Sequence, residues 1–286
     1  LLARTLAALD GGGAPSSAPA APAAPTPSAR EAELLADLMR AIEEDRLQLV
    51  YQPQVDRDTE TLIGVESLVR WTDPKRGPVR PDLFVPLAER YGMVGHLTRW
   101  VLDRALSETR DMGALVVAVN ASALDFAEPD FVDRIEAALA RHAFDPRRLE
   151  VEITETAILQ DEERVRANME RLRALGVKMA LDDFGVGYSS LQHLRRYPFD
   201  KLKIDREFIH ECTEDGGSAA MVHGVIAIGR ALGLRVIAEG VETEADRRFL
   251  RTAGVHAFQG WLFGRGVPAA ELRVFVDEGL PKREAA

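Results

Sequence analysis

Two adjacent carboxylates, Asp182 and Asp183, stand between an apolar run and a loop that contains Gly185 and Gly187. Side chains of neighbouring residues on a regular strand point to opposite faces, so both aspartates can reach one ligand only where the strand becomes irregular. The glycines permit such a turn. Two anions at this spacing favour protonation of one another unless a cation neutralises them. The pair therefore indicates a cation site or, as the alternative, a strand end whose aspartate caps the next helix.

Other predicted strands also end in polar side chains, and most of these carry oxygen. Carboxylate and amide oxygens, without histidine or thiolate, favour Mg²⁺ or Mn²⁺ over zinc. More than four carboxylates suggest two ions, which is the standard arrangement for phosphodiester hydrolysis. A lysine among them could polarise the attacking water or only balance the carboxylates. The residues at these strand ends are Glu66, Asn120, Glu152, Asp182, Asp183, Lys203, Glu239 and Gln259.

The apolar pattern predicts the elements that must position these side chains. A helix at residues 30–45 precedes a hairpin of two antiparallel strands, and alternating helices and strands follow. Two hairpin strands plus six later ones indicate an α/β fold, a modified TIM-type (β/α)₈ barrel with an antiparallel first hairpin. An open doubly wound sheet is the alternative, although no Gly-x-Gly-x-x-Gly follows the first strand. The predicted strands are 47–55, 61–71, 115–120, 149–154, 178–182, 201–205, 235–239 and 256–261, and the predicted helices after the hairpin are 81–91, 97–112, 129–142, 162–175, 189–196, 218–232, 244–253 and 269–278.

Period-two alternation predicts which of these side chains point into the barrel. Apolar neighbours on both sides place Glu152 and Lys203 on the inward face, and the same alternation places Asn120 inward. Lys201 precedes Lys203 by two residues and shares its face, so it should lie lower in the barrel. A buried charge needs a partner, and Glu150 is the candidate for Lys201. The upper side chains meet at the C-terminal ends of the strands, where barrel enzymes have their active sites.

Charge and composition limit the partners and the compartment. The 286 residues include 36 Lys and Arg against 46 Asp and Glu, and the net charge of −10 argues against binding a nucleic-acid polymer. Cys212 is the single cysteine, so no internal disulfide can form, which fits a reducing compartment. The sequence contains no run of about 18 apolar residues, so it predicts no membrane-spanning helix. We expect a cytoplasmic protein, either free or tethered to the inner membrane through an upstream region.

Composition also predicts two regions along the chain. Residues 1–30 are dominated by small residues and proline and are predicted to be a flexible Gly/Ala/Pro-rich linker from an upstream region. Residues 31–286 are predicted to form the barrel domain. The linker composition suggests a partner domain before it.

Nine short motifs stand at barrel-like spacing along this domain. They are residues 51–53 (YQP), 66–71 (ESLVRW), 85–89 (VPLAE), 120–122 (NAS), 152–155 (EITE), 182–185 (DDFG), 202–205 (LKID), 238–243 (AEGVET) and 258–260 (FQG). In content and order they resemble the EAL domain family, over roughly residues 33–279. The resemblance implies a cyclic-di-GMP phosphodiesterase, an enzyme that opens the cyclic dinucleotide to linear pGpG on a modified barrel.

The resemblance further implies a centre with two Mg²⁺ or Mn²⁺ ions. Asp182 would bridge the ions, Asp183 would hold the second one, and Glu239 would lie beside it. Lys203 would orient the attacking water, and Gln259 would support that site. The implied metal ligands are Glu66, Asn120, Glu152, Asp182, Asp183 and Glu239, and the implied catalytic residues are Lys203, Glu239, Gln259 and Glu66.

Substrate and partner contacts follow from the same resemblance. Gln52 and Arg70 would contact the guanine or phosphate of the substrate, with Glu242 also placed at the substrate site. Glu155 and Glu242 would brace the loop after Asp183. The implied partners are cyclic di-GMP, a second copy of the chain in a homodimer, and an upstream sensory or diguanylate-cyclase-like domain.

The chain departs from the family pattern at a few positions. Ser67 stands where the family has Ala, Trp261 stands where Tyr is common, and Val186 stands between the loop glycines where Thr is usual. Every implied carboxylate is present, whereas non-hydrolysing receptors of this family usually lack some of them. A non-hydrolysing cyclic-di-GMP receptor is the alternative function, and the complete set of carboxylates disfavours it. An interaction module that does not bind the nucleotide is a third interpretation, and only the linker favours it.

Overall fold

The computed structural model describes residues 26–154, 162–184, 191–212 and 216–281. Within these ranges the chain forms nine β-strands, eleven α-helices and a 3₁₀ turn at Pro146–Arg148. The strands are β1 (Leu47–Asp56), β2 (Leu62–Asp73), β3 (Gly77–Val79), β4 (Val116–Asn120), β5 (Leu149–Thr154), β6 (Lys178–Phe184), β7 (Lys201–Ile204), β8 (Arg235–Ala238) and β9 (Ala257–Gln259). The helices are α1 (Ala29–Glu43), α2 (Pro81–Arg90), α3 (Val94–Thr109), α4 (Ala123–Ala127), α5 (Phe131–Arg141), α6 (Glu162–Leu175), α7 (Leu191–Arg196), α8 (Arg206–Glu211), α9 (Gly216–Ala231), α10 (Glu244–Ala253) and α11 (Ala269–Glu278).

Eight of the strands close into a barrel in the order β1-β9-β8-β7-β6-β5-β4-β2, and β1 pairs back to β2. β1 runs antiparallel to both of its neighbours, whereas the other neighbouring pairs in the ring are parallel. The short strand β3 lies outside the ring and pairs antiparallel with the end of β2. Closure leaves the ring without an open edge. The modified (β/α)₈ barrel with an antiparallel first hairpin is thus confirmed, and the open doubly wound sheet is excluded.

Long elements match the sequence prediction better than short ones. The predicted helices 162–175, 244–253 and 269–278 coincide with α6, α10 and α11. The short elements β3, α4 and α8 are absent from the prediction, because three to six residues are too few to show a period. Both short helices begin at a side-chain cap. Ser122 and Asp125 form a capping box at α4, and Asp205 accepts a hydrogen bond from the Glu207 N–H at α8.

The apolar core lies between the outer face of the barrel and the surrounding helices. Leu202 and Val236, on neighbouring strands, are fully buried there. Helix α9 approaches β8 so closely at Gly229 that an added Cβ would overlap the Val236 side chain. On another side of the barrel, Trp71 packs edge-on against Phe84 of α2, with 5.6 Å between ring centroids. The apolar face of each strand is therefore used for helix packing, which leaves the inward face for polar residues.

The structure describes only part of the predicted N-terminal linker. Residues 1–25 of the predicted linker lie outside the described residues, so the boundary at residue 30 stays a prediction. Helix α1 begins at Ala29, where Ser28 and Glu31 form a capping box. Among the helices that the structure describes, none combines the length and the apolar composition needed to span a bilayer.

Candidate active site

Four carboxylates, three on strands and one directly after β8, surround one lysine inside the barrel. Lys203 of β7 is fully buried. Its Nζ lies 2.6 Å from Glu152 Oε2, 2.6 Å from Glu239 Oε1, 3.0 Å from Asp182 Oδ2 and 3.5 Å from Glu66 Oε2. We call these four carboxylates the acidic cluster. The cluster lies toward the C-terminal ends of the parallel strands, which is the upper mouth of the barrel.

Strand alternation explains why these charges point inward. Val151 and Ile153 are buried against the helices, and Glu152 between them is fully buried inside the barrel. The inward orientation predicted for Glu152 and Lys203 is therefore confirmed. The lower position predicted for Lys201 is confirmed as well, because its Nζ donates to Glu150 Oε1 at 2.6 Å.

The end of β6 is irregular, and the irregularity separates the two aspartates. The pairing with β7 shifts register between Leu181 and Phe184, and Asp183 has a φ of 53°. Asp is one of the few residues besides glycine that tolerates this left-handed conformation. Asp182 is buried in the cluster, whereas Asp183 is exposed beside it and donates its N–H to Asp182 Oδ1 at 2.9 Å. Asp183 itself makes the turn, and the glycines to which we assigned it lie outside the described residues.

Two amide side chains orient the carboxylate of Glu66, and a third pairs with one of them. Asn120 Nδ2 donates to Glu66 Oε1 at 2.8 Å, and Gln259 Nε2 donates to Glu66 Oε2 at 2.6 Å. Gln259 Nε2 also contacts Gln52 Oε1 at 3.2 Å. Both carboxylate oxygens of Glu66 are thus held by fixed donors. Asn120, Gln259 and Gln52, each predicted from the sequence, are brought together at this point.

Burial and charge act in opposite directions on the pKa values of this cluster. Burial raises the pKa of Glu152 and of Glu239 well above its usual range, although Lys203 partly opposes the shift. Burial has the same effect on Glu66, but Lys203 and the amides of Gln259 and Asn120 outweigh it and lower the Glu66 pKa. Burial would lower the Lys203 pKa, yet the surrounding carboxylates hold it well above the ordinary value. One ammonium group is therefore too little positive charge for four buried carboxylates.

The donor set fits a hard divalent cation. Glu66, Glu152 and Asp182 each offer one carboxylate oxygen, and these oxygens lie within 4.8 Å of one another. Glu152 Oε1 is buried and has no hydrogen-bond partner among the described residues. A buried carboxylate oxygen without a donor is costly unless a cation satisfies it. Oxygen ligands of this kind suit Mg²⁺ or Mn²⁺.

A cleft of about 780 Å³ opens next to the cluster. Arg70, Asn120 and Asp183 reach it, and its wall includes apolar side chains of α2 and α3. The Arg70 guanidinium is partly buried, and burial lowers its pKa. The cleft therefore contains oxygen-bearing side chains that could bind a metal ion, together with an arginine that can bind a phosphate or the polar edge of a base.

One predicted residue, Glu242, is not brought into this arrangement. Glu242 Oε1 lies 3.6 Å from His210 Nε2, and its side chain is 34% exposed. Glu155 and Val186 fall outside the described residues, so the loop-bracing role and the effect of valine stay predictions. Glu239 belongs to the acidic cluster, Lys203 lies at its centre, and Asn120 and Gln259 donate to Glu66, while the catalytic roles assigned to Lys203, Glu239 and Gln259 stay predictions.

Sequence reasoning missed two residues near the site. Asp205 caps α8, and its charge adds to burial and to the charge of Asp182 in raising the pKa of Asp183 to about 6. Gln54 is 1% exposed and donates through Nε2 to Gln259 Oε1 at 3.0 Å. A signal for Gln54 was present, because it shares strand parity with Gln52 two residues earlier.

Comparison with known proteins places these features in a family. The profile of the EAL domain matches residues 35–266. The bifunctional diguanylate cyclase/cyclic di-GMP phosphodiesterase MucR of Pseudomonas aeruginosa is 44% identical over 245 residues, which are 84% of this chain and 36% of MucR. The cyclic di-GMP phosphodiesterase NbdA of the same organism is 38% identical over 252 residues, 86% of this chain and 32% of NbdA. The chain thus spans about a third of the length of these curated relatives.

A solved structure agrees with these similarities. The structure described as the PaMucR phosphodiesterase in complex with c-di-GMP superposes with a TM-score of 0.80 at 44% identity, and the match covers 84% of this chain and 99% of that one. The fold is thus shared over most of the domain. The chain belongs to the EAL domain family.

Proposed function

We propose that this chain hydrolyses cyclic di-GMP to linear pGpG and so lowers the concentration of this second messenger. The acidic cluster around Lys203 carries the proposal, because four inward carboxylates with one unsatisfied buried oxygen require further positive charge. The relatives named as cyclic di-GMP phosphodiesterases, and the related structure with c-di-GMP, supply the substrate.

The residues present fit two Mg²⁺ or Mn²⁺ ions. We propose that the first is held by Glu66, Asn120, Glu152 and Asp182, and that Asp182 and Asp183 hold the second with Glu239 beside it. When bound, the ions supply a nucleophile at neutral pH and neutralise charge on the phosphodiester. The left-handed turn at Asp183 supports this division, because it gives the two adjacent aspartates different positions.

Lys203 acts in this proposal as a fixed donor rather than a base. Its pKa is held well above the ordinary value by carboxylates on several sides, so the ammonium remains protonated at neutral pH. It can orient the attacking water and stabilise the negative charge that develops on the phosphoryl oxygens. As the water oxygen bonds to phosphorus, the P–O3′ bond breaks, and the proton that the water loses is balanced by the one that the departing oxygen gains. Gln259 keeps Glu66 in place during this step.

The cleft beside the cluster is the proposed substrate site. Arg70 would bind a phosphate or guanine edge of the dinucleotide, and Gln52 would contact it from the lumen side. Glu242 and Glu155 are proposed to support the substrate and the loop after Asp183. We further propose a homodimer, an upstream sensory or diguanylate-cyclase-like domain, and a cytoplasmic setting that is either free or tethered to the inner membrane. The greater length of the curated relatives supports the upstream domain.

Product analysis tests this function. Purified protein is mixed with cyclic di-GMP and Mg²⁺ or Mn²⁺, with Glu66→Gln as the control, and products are separated by chromatography. We expect pGpG with the native chain and none with the control. Saturable nucleotide binding without product would establish the receptor alternative instead. Absence of any nucleotide-induced thermal shift would leave only the interaction module.

A further inference from the structure

A second cavity lies at the opposite end of the barrel from the acidic cluster. It is formed by the first residues of the parallel strands, including Lys178 of β6, Lys201 of β7 and Arg235 of β8, and has a volume of about 720 Å³. We call it the lower mouth. The C-terminal ends of the strands carry the proposed reaction, so nothing in that reaction uses this cavity.

The lower mouth is cationic, although the chain as a whole carries a net charge of −10. Five cationic side chains line it against two carboxylates, Glu150 and Asp200. Glu150 is already paired with Lys201. The other four cations make no ion pair with any residue that the structure describes; they are Arg173, Lys178, Arg195 and Arg235. Arg173, Arg195 and Arg235 are exposed, and Lys178 is partly buried. A group of cations around one cavity, without ion-pair partners among the described residues, favours binding of an anion.

Two further lining residues indicate the chemistry that the cavity recognises. The Nδ1 of His256 accepts a hydrogen bond from the Val236 N–H at 2.8 Å, so a neutral ring carries its proton on Nε2 as a donor. Burial and the nearby Arg235 lower the His256 pKa, in agreement with a positive local potential. Lys201 is 9% exposed, and two of the three donors of its ammonium group are used. Several fixed donors around one cavity suit the oxygens of a phosphate group.

A chain of buried hydrogen bonds joins the lower mouth to the acidic cluster. Lys201 Nζ donates to Gln54 Oε1 at 3.0 Å, and Gln54 Nε2 donates to Gln259 Oε1 at 3.0 Å. Gln259 Nε2 then donates to Glu66 Oε2 at 2.6 Å. All three bonds point the same way, so each amide orientation depends on the one below it. The three bonds form a continuous path from Lys201 to Glu66 through two glutamines.

We propose that the lower mouth is a second ligand site, for a small phosphate-bearing anion, and that its occupancy is transmitted to Glu66 through Lys201, Gln54 and Gln259. The anion takes the third donor of Lys201 and draws Nζ away from Gln54 Oε1. Gln54 and Gln259 then hold Glu66 less firmly, which weakens divalent-cation binding at the cluster. Lys201 and Gln54 are positioning residues in this device. The ligand site stands on its own, whereas its effect on turnover rests on the proposed function.

Calorimetric titration of the metal-free native chain tests the ligand site without any need for hydrolysis. The probes are inorganic pyrophosphate and phenyl phosphate, which distinguish an inorganic from an organic phosphate source. We expect one saturable site for at least one probe. The double variant Lys178→Gln/Arg235→Gln should bind it at least tenfold more weakly. The matched control Arg248→Gln/Arg273→Gln removes two exposed arginines that do not line the cavity and should bind as the native chain does.

The results that overturn the ligand site are equally specific. No heat of binding for either probe removes the proposal, and so does an equal loss in both double variants, which would indicate only a non-specific charge effect. Tighter binding of phenyl phosphate than of pyrophosphate supports the site and makes an organic monophosphate its occupant. Because no turnover is measured, failure here leaves the hydrolase proposal untouched.

Mn²⁺ titration tests the coupling through Gln54. Gln54→Met keeps the shape of the side chain but removes both of its hydrogen bonds, and should raise the Mn²⁺ concentration for half-saturation at least fivefold. Gly64→Ala is a milder second variant, since its Cβ would lie 3.2 Å from Gln54 Oε1 and displace the amide. Gln48→Met, at an exposed position of the same strand, is the matched control. Unchanged Mn²⁺ binding in a folded Gln54→Met protein overturns the coupling.

Discussion

Lys201 and Lys203 stand two residues apart on one strand and share its inward face, yet they lie in opposite electrostatic situations. Lys201 meets one carboxylate, Glu150, and one neutral amide, Gln54. Lys203 meets four carboxylates. The lower pair is balanced in charge, whereas the upper cluster has an excess of negative charge. Residue type and strand parity thus predict that both lysines point into the barrel. The number of carboxylates around each lysine decides which end of the barrel requires a further cation.

The largest expected effect is on catalysis at the upper end. Lys203→Met removes the fixed donor of the cluster, and we expect kcat to fall by about 10²–10³-fold, as for loss of one preorganised electrostatic group. The matched variant Lys201→Met should reduce kcat far less, because Lys201 contacts no residue of the acidic cluster directly. Steady-state turnover of cyclic di-GMP at saturating Mn²⁺ measures both. Equal losses would show that the two lysines do not differ in the way their partners suggest.

The next largest effect is on activity, through an amide that donates a hydrogen bond to Glu66. Asn120→Ala removes the donor to Glu66 Oε1 and one proposed metal ligand. We expect a 10–100-fold loss of activity, as is typical when a group that orients a metal ligand is removed, together with a higher Mn²⁺ requirement. Turnover measured across a Mn²⁺ series checks this. A loss that saturating Mn²⁺ does not reduce at all would argue against a role at the metal centre.

Stability should be affected most strongly at the lower end. Lys201→Met leaves Glu150 buried without its cation, and breaking a buried pair on one side costs about 3–5 kcal/mol of unfolding free energy. The double variant Lys201→Met/Glu150→Leu should recover most of this loss, because no uncompensated charge remains. Urea unfolding measures both variants. The loss of unfolding free energy in Lys201→Met should persist when Mn²⁺ is added. A loss in Lys203→Met should become smaller, since a metal ion can replace the missing positive charge.

The smallest effect concerns Asp183 and pH. The Asp183 side chain is exposed, but partial desolvation and repulsion from Asp182 and Asp205 raise its pKa to about 6, above the value in an unfolded chain. Solvent screening at an exposed group makes the effect on stability small. The ionised carboxylate lowers the free energy of unfolding. This loss grows as the pH rises from about 4 to about 6, and it is complete at pH 7. Asp183→Asn should raise the Tm of the metal-free protein at pH 7 by about 2–4 °C and leave it unchanged at pH 4. Asparagine tolerates the left-handed backbone, so the turn is preserved. Thermal scans at both pH values give the result, and an equal shift at both would rule out ionisation as its cause.

Alternation and strand count made much of the fold predictable. The inward faces of Glu152 and Lys203 and the pairing of Lys201 with Glu150 follow from the apolar residues that flank them, since an outward charge would have to be buried under helices. The predicted helix 244–253 coincides with α10, and the structure shows Thr243 capping its start and Gly254 ending it in the left-handed conformation. In each case the signal is local and repeats along the chain.

Other features had no local signal. The turn at Asp183 depends on a register shift against β7, which the residues of β6 do not reveal. The contact between Gln54 and Gln259 depends on the antiparallel pairing of β1 with β9, which lie more than two hundred residues apart in sequence. The cationic lower mouth is made from the first residues of several strands, and each of these looks like an ordinary exposed arginine or lysine when taken alone.

By itself, the sequence determined the barrel class, the family and the polar residues that face inward, because periodicity and motif order are properties of the chain. The tertiary structure alone decided how many carboxylates meet each lysine, which oxygen of Glu152 lacks a donor, and how hydrogen bonds run from one mouth to the other. These depend on which strands become neighbours when the barrel closes. Electrostatic and hydrogen-bond energies fall off within a few ångströms, so they are set only after distant segments are brought into contact.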